Sequence, residues 1–466
     1  MQWMVSKRMA LVAAVLFGIG GCGGSSGDTG RPAPGSGAAG GPGQGRTANQ
    51  ISGLVGDSPQ AGAKVTVVAS SGATLGKLTS NDTAEYELVL RTPDRNYPLM
   101  IHAEGGTDMV TGGPPDFRLA GFALGPATHT VSNLNPFSTL IHAAAAQSGG
   151  LSGASVAAAR EAVLQVHGFG LDTALVPDPA TTQLDDQNVH TYVKAGEALS
   201  EMIRRTRDAL ATSGSSLDGD GVVASLGADL ADGVLDGRGA PGSDERVAAV
   251  AAVATAAVMV ETMADRLHVG AVDATRALDL AIRQIRPNAP LSAAADMDGI
   301  PEAAVDQAER ALWAAYVLES HPAIAAAIDA VMASGTAAAL TPQLPAGLEA
   351  LLASRLLKAA YASDTEIAAI NAIARGDPVP GSGKAIVRWT PPTERTDGTP
   401  LSTVSTFKVY YGRSPGKLNR SHRVDGRQNS RAIENLAPGT WYFAVTAIDE
   451  HGVQSARSKV GKKTIS

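Results

Sequence analysis

Residues 133–140 read Asn133-Leu134-Asn135-Pro136-Phe137-Ser138-Thr139-Leu140, and the texture of the chain changes across them. Before this phrase apolar residues alternate; after it they recur at helical spacing. Pro136 suits the first turn of a helix, where its missing N–H has no partner to lose, and Ser138 or Thr139 can cap nearby. A helix is therefore predicted from 136. The fold class expected is multidomain α+β: a small N-terminal β-sandwich, a central all-α bundle and a C-terminal β-sandwich.

Upstream, residues 51–70, 78–92 and 97–106 carry period-2 patterns separated by Gly, Asn, Asp and Pro turns. Val65, Val67 and Ala69 share one strand face, and Tyr86, Leu88 and Leu90 share another. Residues 50–118 are drawn as one β domain. Three pieces carry a family signal: Ile51-Ser52-Gly53-x-Val55-x-Asp57, Ala63-x-Val65-x-Val67, and Asn81-Asp82 ahead of Tyr86-x-Leu88-x-Leu90. Together they resemble the carboxypeptidase regulatory-like (transthyretin-like) module, which implies a stalk or scaffold without catalysis. Thr83-Ala84-Glu85 departs from that family, which usually places Gly just before the aromatic. The phrase at 133–140 is itself similar to the connector that follows such modules in bacterial surface proteins.

Downstream, residues 119–378 are drawn as an Ala-rich helical domain. Helices are predicted over 136–147, 153–168, 187–213, 221–236, 243–268, 271–286, 301–319, 322–334, 345–361 and 364–375. Hydrophobic residues make up 44% of the chain but aromatics only 4%, so alanine carries much of the apolar content and favours close helix packing. Residues 247–260 are apolar all round. At 14 residues the run falls short of the ~20 a membrane span needs, and a buried central helix is predicted.

The motifs in this domain point away from catalysis. Asp218-Gly219-Asp220-Gly221 starts as an EF-hand loop does but lacks the distal Glu, so a helix cap is expected there. Asp229 to Gly237 reads as acids on solvated loops and helix ends. Asp185-Asp186 and His190 offer metal ligands without a completing group. The histidines show no HExxH or other paired spacing, and Gly376 to Lys384 lacks the Walker spacing. Arg375-Gly376-Asp377 spells an integrin-binding tripeptide, a match that three letters in a long chain reach by chance.

Strands return after a linker, and residues 379–466 are drawn as the last domain. Leu436-x-Pro438-Gly439-Thr440-x-Tyr442-x-x-x-x-Thr446-Ala447, Trp389 with Pro391-Pro392, Thr396 to Leu401, Lys408 to Gly412 and His451-Gly452 through Ser455 span about 85 residues. They resemble a fibronectin type III domain. The resemblance implies a β-sandwich with Trp389 buried between its sheets and a tyrosine corner in which the Tyr442 hydroxyl bonds the upstream backbone. Residues 381–466 hold 14 Lys and Arg against 6 Asp and Glu, while the whole chain is at −7. Arg413, Lys417, Arg420, Arg423, Arg427 and Arg431 are the candidate anion-binding patch, suited to lipopolysaccharide phosphates, anionic glycans or an acidic protein face.

Residues 1–22 pair Lys7 and Arg8 with an apolar stretch from Met9 to Ile19 and end Ile19-Gly20-Gly21-Cys22. This is the layout of an export signal. The ending resembles the lipobox of bacterial lipoproteins, and Cys22 is the only cysteine. The resemblance implies lipidation of Cys22 by a diacylglycerol thioether and a third acyl chain, enough for stable anchoring. Gly23 stands where an inner-membrane retention signal would usually show Asp, and the resemblance to known lipoproteins then implies the outer membrane, facing the periplasm or the outside. Residues 23–49 are rich in Gly, Ser, Pro and Ala, and a disordered tether is predicted.

The expected function is that of a non-catalytic cell-envelope lipoprotein, a binding or scaffolding protein for a protein or polysaccharide partner. An accessory role in extracellular polysaccharide recognition or secretion shares that architecture, and an enzyme with its site in the helical domain is the third reading. No catalytic, cofactor or metal residue is assigned. The negative net charge speaks against nucleic acid as a partner.

Overall fold

The computed structural model describes residues 48–465 apart from 57, 271, 291–300, 335, 378–382, 395–400, 402–403, 419 and 437–438. Cys22, the export signal and most of the tether lie outside the described residues. Alternation builds the first sheets. The strands are β1 (Ala48–Leu54), β2 (Gln60–Ala61), β3 (Lys64–Val68), β4 (Thr74–Thr79), β5 (Glu85–Arg91), β6 (Leu99–Glu104), β7 (Thr107–Asp108), β8 (Leu119–Ala123) and β9 (His129–Val131). One sheet has the order β5-β1-β9 and another β4-β3-β6-β8, while β2 pairs with β7. Val65, Val67, Tyr86 and Leu90 are buried, whereas Lys64, Glu87 and Val89 face solvent.

Two expectations need correction here. Ala48 and Asn49, drawn into the tether, belong to β1; Asn49 is buried, donating to the Tyr97 hydroxyl and accepting from Thr130 Oγ1, both at 3.0 Å. Residues 119–131, drawn into the helical domain, supply β8 and β9. All five residues of β8 are buried, so it shows no alternation to read. The turn built without glycine also has an answer: Ala84 adopts φ +58°, a left-handed conformation that costs a non-glycine residue roughly 1–2 kcal/mol. Asn81 Oδ1 holds this turn by accepting from the N–H groups of Thr83 (3.0 Å) and Glu85 (2.8 Å).

The phrase at 133–140 is where sheet and helix are joined. Helix α1 (Pro136–Gln147) starts at the proline, with Asn135 as its N-cap in a reciprocal capping box with Ser138. Asn135 Oδ1 accepts from Ser138 N–H (2.8 Å), and its Nδ2 donates to Pro179 O (2.8 Å) and the Tyr192 hydroxyl (2.6 Å). Asn133 Oδ1 accepts from Leu54 N–H (3.2 Å) at the end of β1, and its Nδ2 donates to Thr182 O (2.8 Å). Ser138 Oγ donates to Ala120 O (2.6 Å) and Thr139 Oγ1 accepts from Ala120 N–H (2.9 Å), so both backbone groups of one β8 residue end on α1 side chains. Tyr86 of β5 completes the knot by donating to Ser132 O at 2.6 Å. Asn133, Asn135, Ser138, Thr139 and Tyr192 are all buried. The close approach needs glycine: a Cβ on Gly53 would stand 2.2 Å from Ser132 O.

The helical body continues with α2 (Gly153–His167), α3 (Val189–Thr212), α4 (Gly219–Asp229), α5 (Glu245–Met263), α6 (Ala274–Ile285), α7 (Glu302–Leu318), α8 (Pro322–Ala333), α9 (Ala337–Leu340), α10 (Leu348–Ala360) and α11 (Asp364–Ala374). A two-residue ladder, β10 (His268–Val269) with β11 (Val272–Asp273), precedes α6. Helix α5 is long and apolar enough to cross a membrane. Fifteen of its 19 residues are buried, packed against α3, α4, α7, α10 and α11, so it is the core helix of the bundle. Asp244 caps it by accepting from Arg246 N–H (2.8 Å) and Val247 N–H (3.0 Å). Arg205 of α3 grips Glu261 of α5 through two 2.8 Å bonds, and Arg204 pairs with Glu197 and Glu201 on its own helix.

Beyond the helices come β12 (Gly383–Arg388), β13 (Val404–Gly412), β14 (Arg420–Asp425), β15 (Ser430–Leu436), β16 (Gly439–Asp449) and β17 (Gly461–Ile465). They form a β12-β15 pair and a four-stranded sheet of order β14-β13-β16-β17. The chain is a mixed α+β protein, with eleven α-helices among the described residues. Trp389 is half-buried and packs on Phe407 at 5.2 Å between ring centroids. Of the tryptophans in these sheets the more deeply buried is Trp441 on β16, at 2% exposure, a position the fibronectin-like pattern leaves open. The corner at 437–438, and with it the Pro438 turn expected before Tyr442, lies outside the described residues.

Two predictions follow from this packing. Asn135→Ala removes a helix cap worth about 1 kcal/mol and strands the buried Tyr192 hydroxyl, adding about 1–3 kcal/mol, while the Pro179 carbonyl keeps its longer bond from Asn133 Nδ2 at 3.4 Å. Urea unfolding should show a loss of about 2–4 kcal/mol, with Asn135→Ser, which keeps a cap acceptor, losing less. In the second, burial depresses His142 to about 4, helped by His102 beside it, and His167 to about 3. Folded pKa values below the unfolded ~6.5 mean their contribution is complete above that pH and is lost on acidification toward 4. Melting temperature should fall across that window, and less steeply in a His142→Phe, His167→Phe double variant.

Candidate anion-binding surface

Strand pairing decides where the basic residues of the C-terminal sheets point. Val424 lies opposite Phe407 and His422 opposite Val409. These positions face inward, and the residues between them face outward. Arg423 and Lys408 are therefore directly opposed on the outer face. Tyr410 shares that face, with Lys408 Nζ 5.1 Å and the Arg457 guanidinium 4.3 Å from its ring centroid. Tyr442 and Lys462 are paired across β16 and β17. The outer face thus combines Lys408, Arg423, Arg457 and Lys462 with two tyrosine rings.

The six sequence-designated residues do not all join it. Arg413 and Arg420, expected in the patch, turn instead into a junction with the helical body. Arg413 makes a two-pronged pair with Asp329 of α8, both contacts at 2.8 Å, and lies 4.5 Å over the Trp441 ring. Arg420, with only 9% of its side chain exposed, pairs with Glu309 of α7 at 2.8 Å and covers Tyr411 and Trp441. Burial outweighs Arg420 at Glu309 and pushes its carboxyl above the usual range; Asp306 is raised by burial as well. His422 stacks on Tyr411 at 5.5 Å and is held below the ordinary imidazole value by burial, with Arg431 and Arg420 adding to the effect. Lys417 is exposed in the turn beside this junction, Arg427 in the β14–β15 turn, and Arg431 on β15 of the other sheet. Only Arg423 of the six sits on the outer face described above.

The other sequence motifs resolve into structural roles. Asp218 caps α4, accepting from Gly221 N–H at 2.8 Å. Asp229 and Asp236, read as solvated, are buried: Asp229 accepts from Gly237 and Arg238 N–H at 2.9 and 3.0 Å, and Asp236 pairs with Arg375 at 3.0 Å. Burial raises Asp229 to about 6. Arg375 of the integrin-like tripeptide is thus held by Asp236. Asp185 caps the turn before α3, accepting from Gln187 and Asn188 N–H, and His190 lies 3.8 Å from Asp279. His102 of β6 and His142 of α1 meet edge-to-face at 5.9 Å, a pairing no sequence spacing announces. Among the described residues no three or more His, Cys, Asp or Glu gather as a metal would need.

Comparison with protein-family models finds no match, and no curated protein is similar enough to count as a relative.

The junction makes its own prediction. Arg420→Met leaves the half-buried Glu309 carboxylate without its cation, a change that costs less than the roughly 3–5 kcal/mol of fully buried pairs. Thermal unfolding followed by tryptophan fluorescence should show the C-terminal sheets loosened, and adding Glu309→Gln should recover part of the loss.

Proposed function

We propose that this chain is a non-catalytic, lipid-anchored cell-envelope protein whose C-terminal sandwich presents a cationic, tyrosine-bearing face to an anionic partner. One observation carries the reading: Lys408 and Arg423 stand directly opposite each other on β13 and β14. Like charges so placed destabilise a sheet, and the arrangement is useful if an anion neutralises both. The tyrosines add flat rings on which a sugar or a guanidinium can rest. A polyanionic glycan of the envelope fits both features.

The finer assignments belong to the same proposal. A fibronectin type III sandwich is supported by the β12-β15 pair and the β14-β13-β16-β17 order, which are the pairings expected of strands B with E and of C′-C-F-G. A carboxypeptidase regulatory-like module is supported by the two sheets around Val65, Val67, Tyr86 and Leu90. Anchoring rests on the sequence around Cys22, and its test is metabolic labelling with a palmitate analogue, expected in the native chain and absent in Cys22→Ser.

The full chain should bind immobilised dextran sulfate and elute with rising salt. Lys408→Glu with Arg423→Glu should bring elution to markedly lower salt, because each neutralised contact adds to the salt dependence. Lys417→Glu with Arg427→Glu, outside the face, should shift it less. Equal shifts from both pairs, or none, would contradict the assignment.

A further inference from the structure

A cavity of about 170 Å³ opens between the C-terminal end of α2, the 233–235 turn, α5, α7 and α11. Its walls are apolar: Leu235, Ala252, Ala311, Ala314, Ile370 and Ile373. The alanines leave the space, since larger side chains at those helix positions would fill it. An apolar cavity of about 150 Å³ can hold a benzene-sized molecule.

Four polar residues, Gln165, Thr255, Gln307 and Arg310, break the apolar lining. Gln307 is buried, at 4% exposure. Its Oε1 is occupied by the N–H of Phe169 at 2.9 Å, while its Nε2 has no acceptor among the described residues. A buried amide donor left unmade costs about 1–3 kcal/mol, but this nitrogen has no accessible surface, so it lies behind the cavity wall and is not offered to the space. Arg310, one helical turn further on and exposed at the rim, donates once to Gln165 O at 3.2 Å and keeps further N–H groups for solvent. Thr255, also on the wall, directs its hydroxyl to Ala251 O and offers no proton to the space.

We infer that this cavity is a binding site for a small monocarboxylate with an apolar tail. The tail lies against the alanines and isoleucines, and the carboxylate sits at the mouth against Arg310. The charge-assisted bond to Arg310 distinguishes a carboxylate from an alcohol of the same length. The site shares no lining residue with the cationic outer face, so the two are independent.

The test is titration of the full chain with hexanoate and with 1-hexanol, read by calorimetry and by methyl resonances of Ile370 and Ile373. Hexanoate should bind at least about tenfold more tightly than hexanol, a ratio worth one good charged contact. Arg310→Gln should remove most of that preference while leaving hexanol binding in place. Ala311→Phe should fill the cavity and abolish both. Ala314→Val, a smaller change, should weaken both if Ala311→Phe does not fold. No methyl shift on saturation with hexanoate would overturn the inference, as would binding that Ala311→Phe leaves intact or a hexanoate preference that survives Arg310→Gln.

Discussion

The structure depends on two buried asparagines. Asn133 and Asn135 carry four donor and acceptor groups into the buried interior, where each must be paired. Their partners come from β1, the 179–182 loop, α1 and α3. Ser138 and Thr139 add β8 through Ala120. Such a knot cannot be half made: separating the sheets from the helices would leave several amides and hydroxyls unpaired at once. Cooperative networks of this kind fix one arrangement more than they add stability. The sheets and helices therefore form one body, and the apolar core runs without a break between them.

A second constraint joins the C-terminal sheets to that body by different chemistry. Here two arginines lie between aromatic rings and helix carboxylates, and planar guanidinium suits both contacts at once. Taking Arg413 and Arg420 inward has a consequence for binding. The charge available to a partner is not the run of basic residues along the sequence but the set that alternation places on the outer face. Lys408 and Arg457 belong to that set through their contacts with Tyr410.

Local patterns were legible and distant pairings were not. Pro136 marked the start of α1 to the residue, the apolar run at 247–260 marked the buried helix α5, and alternation marked β3 and β5. β8 escaped because a strand buried on both faces does not alternate, and β1 began earlier than the tether's composition suggested. The arginine junction escaped for a different reason. Arg413 meets an aspartate 84 positions away, and nothing local distinguishes an arginine that will be buried from one that will be solvated. His102 with His142, Gln307 with Phe169, and the alanine-lined cavity are likewise products of tertiary packing. Motif spacing has no access to them.

The central claim is that the N-terminal sheets and the helices unfold as one unit. Native-state hydrogen exchange of the full chain, followed by mass spectrometry at increasing urea, reads it directly. Peptides from β1, β5 and β8 are expected to lose protection together with those from α1, α3 and α5, with one common dependence on urea. Sheets that exchange at markedly lower urea while the helices stay protected would contradict the account.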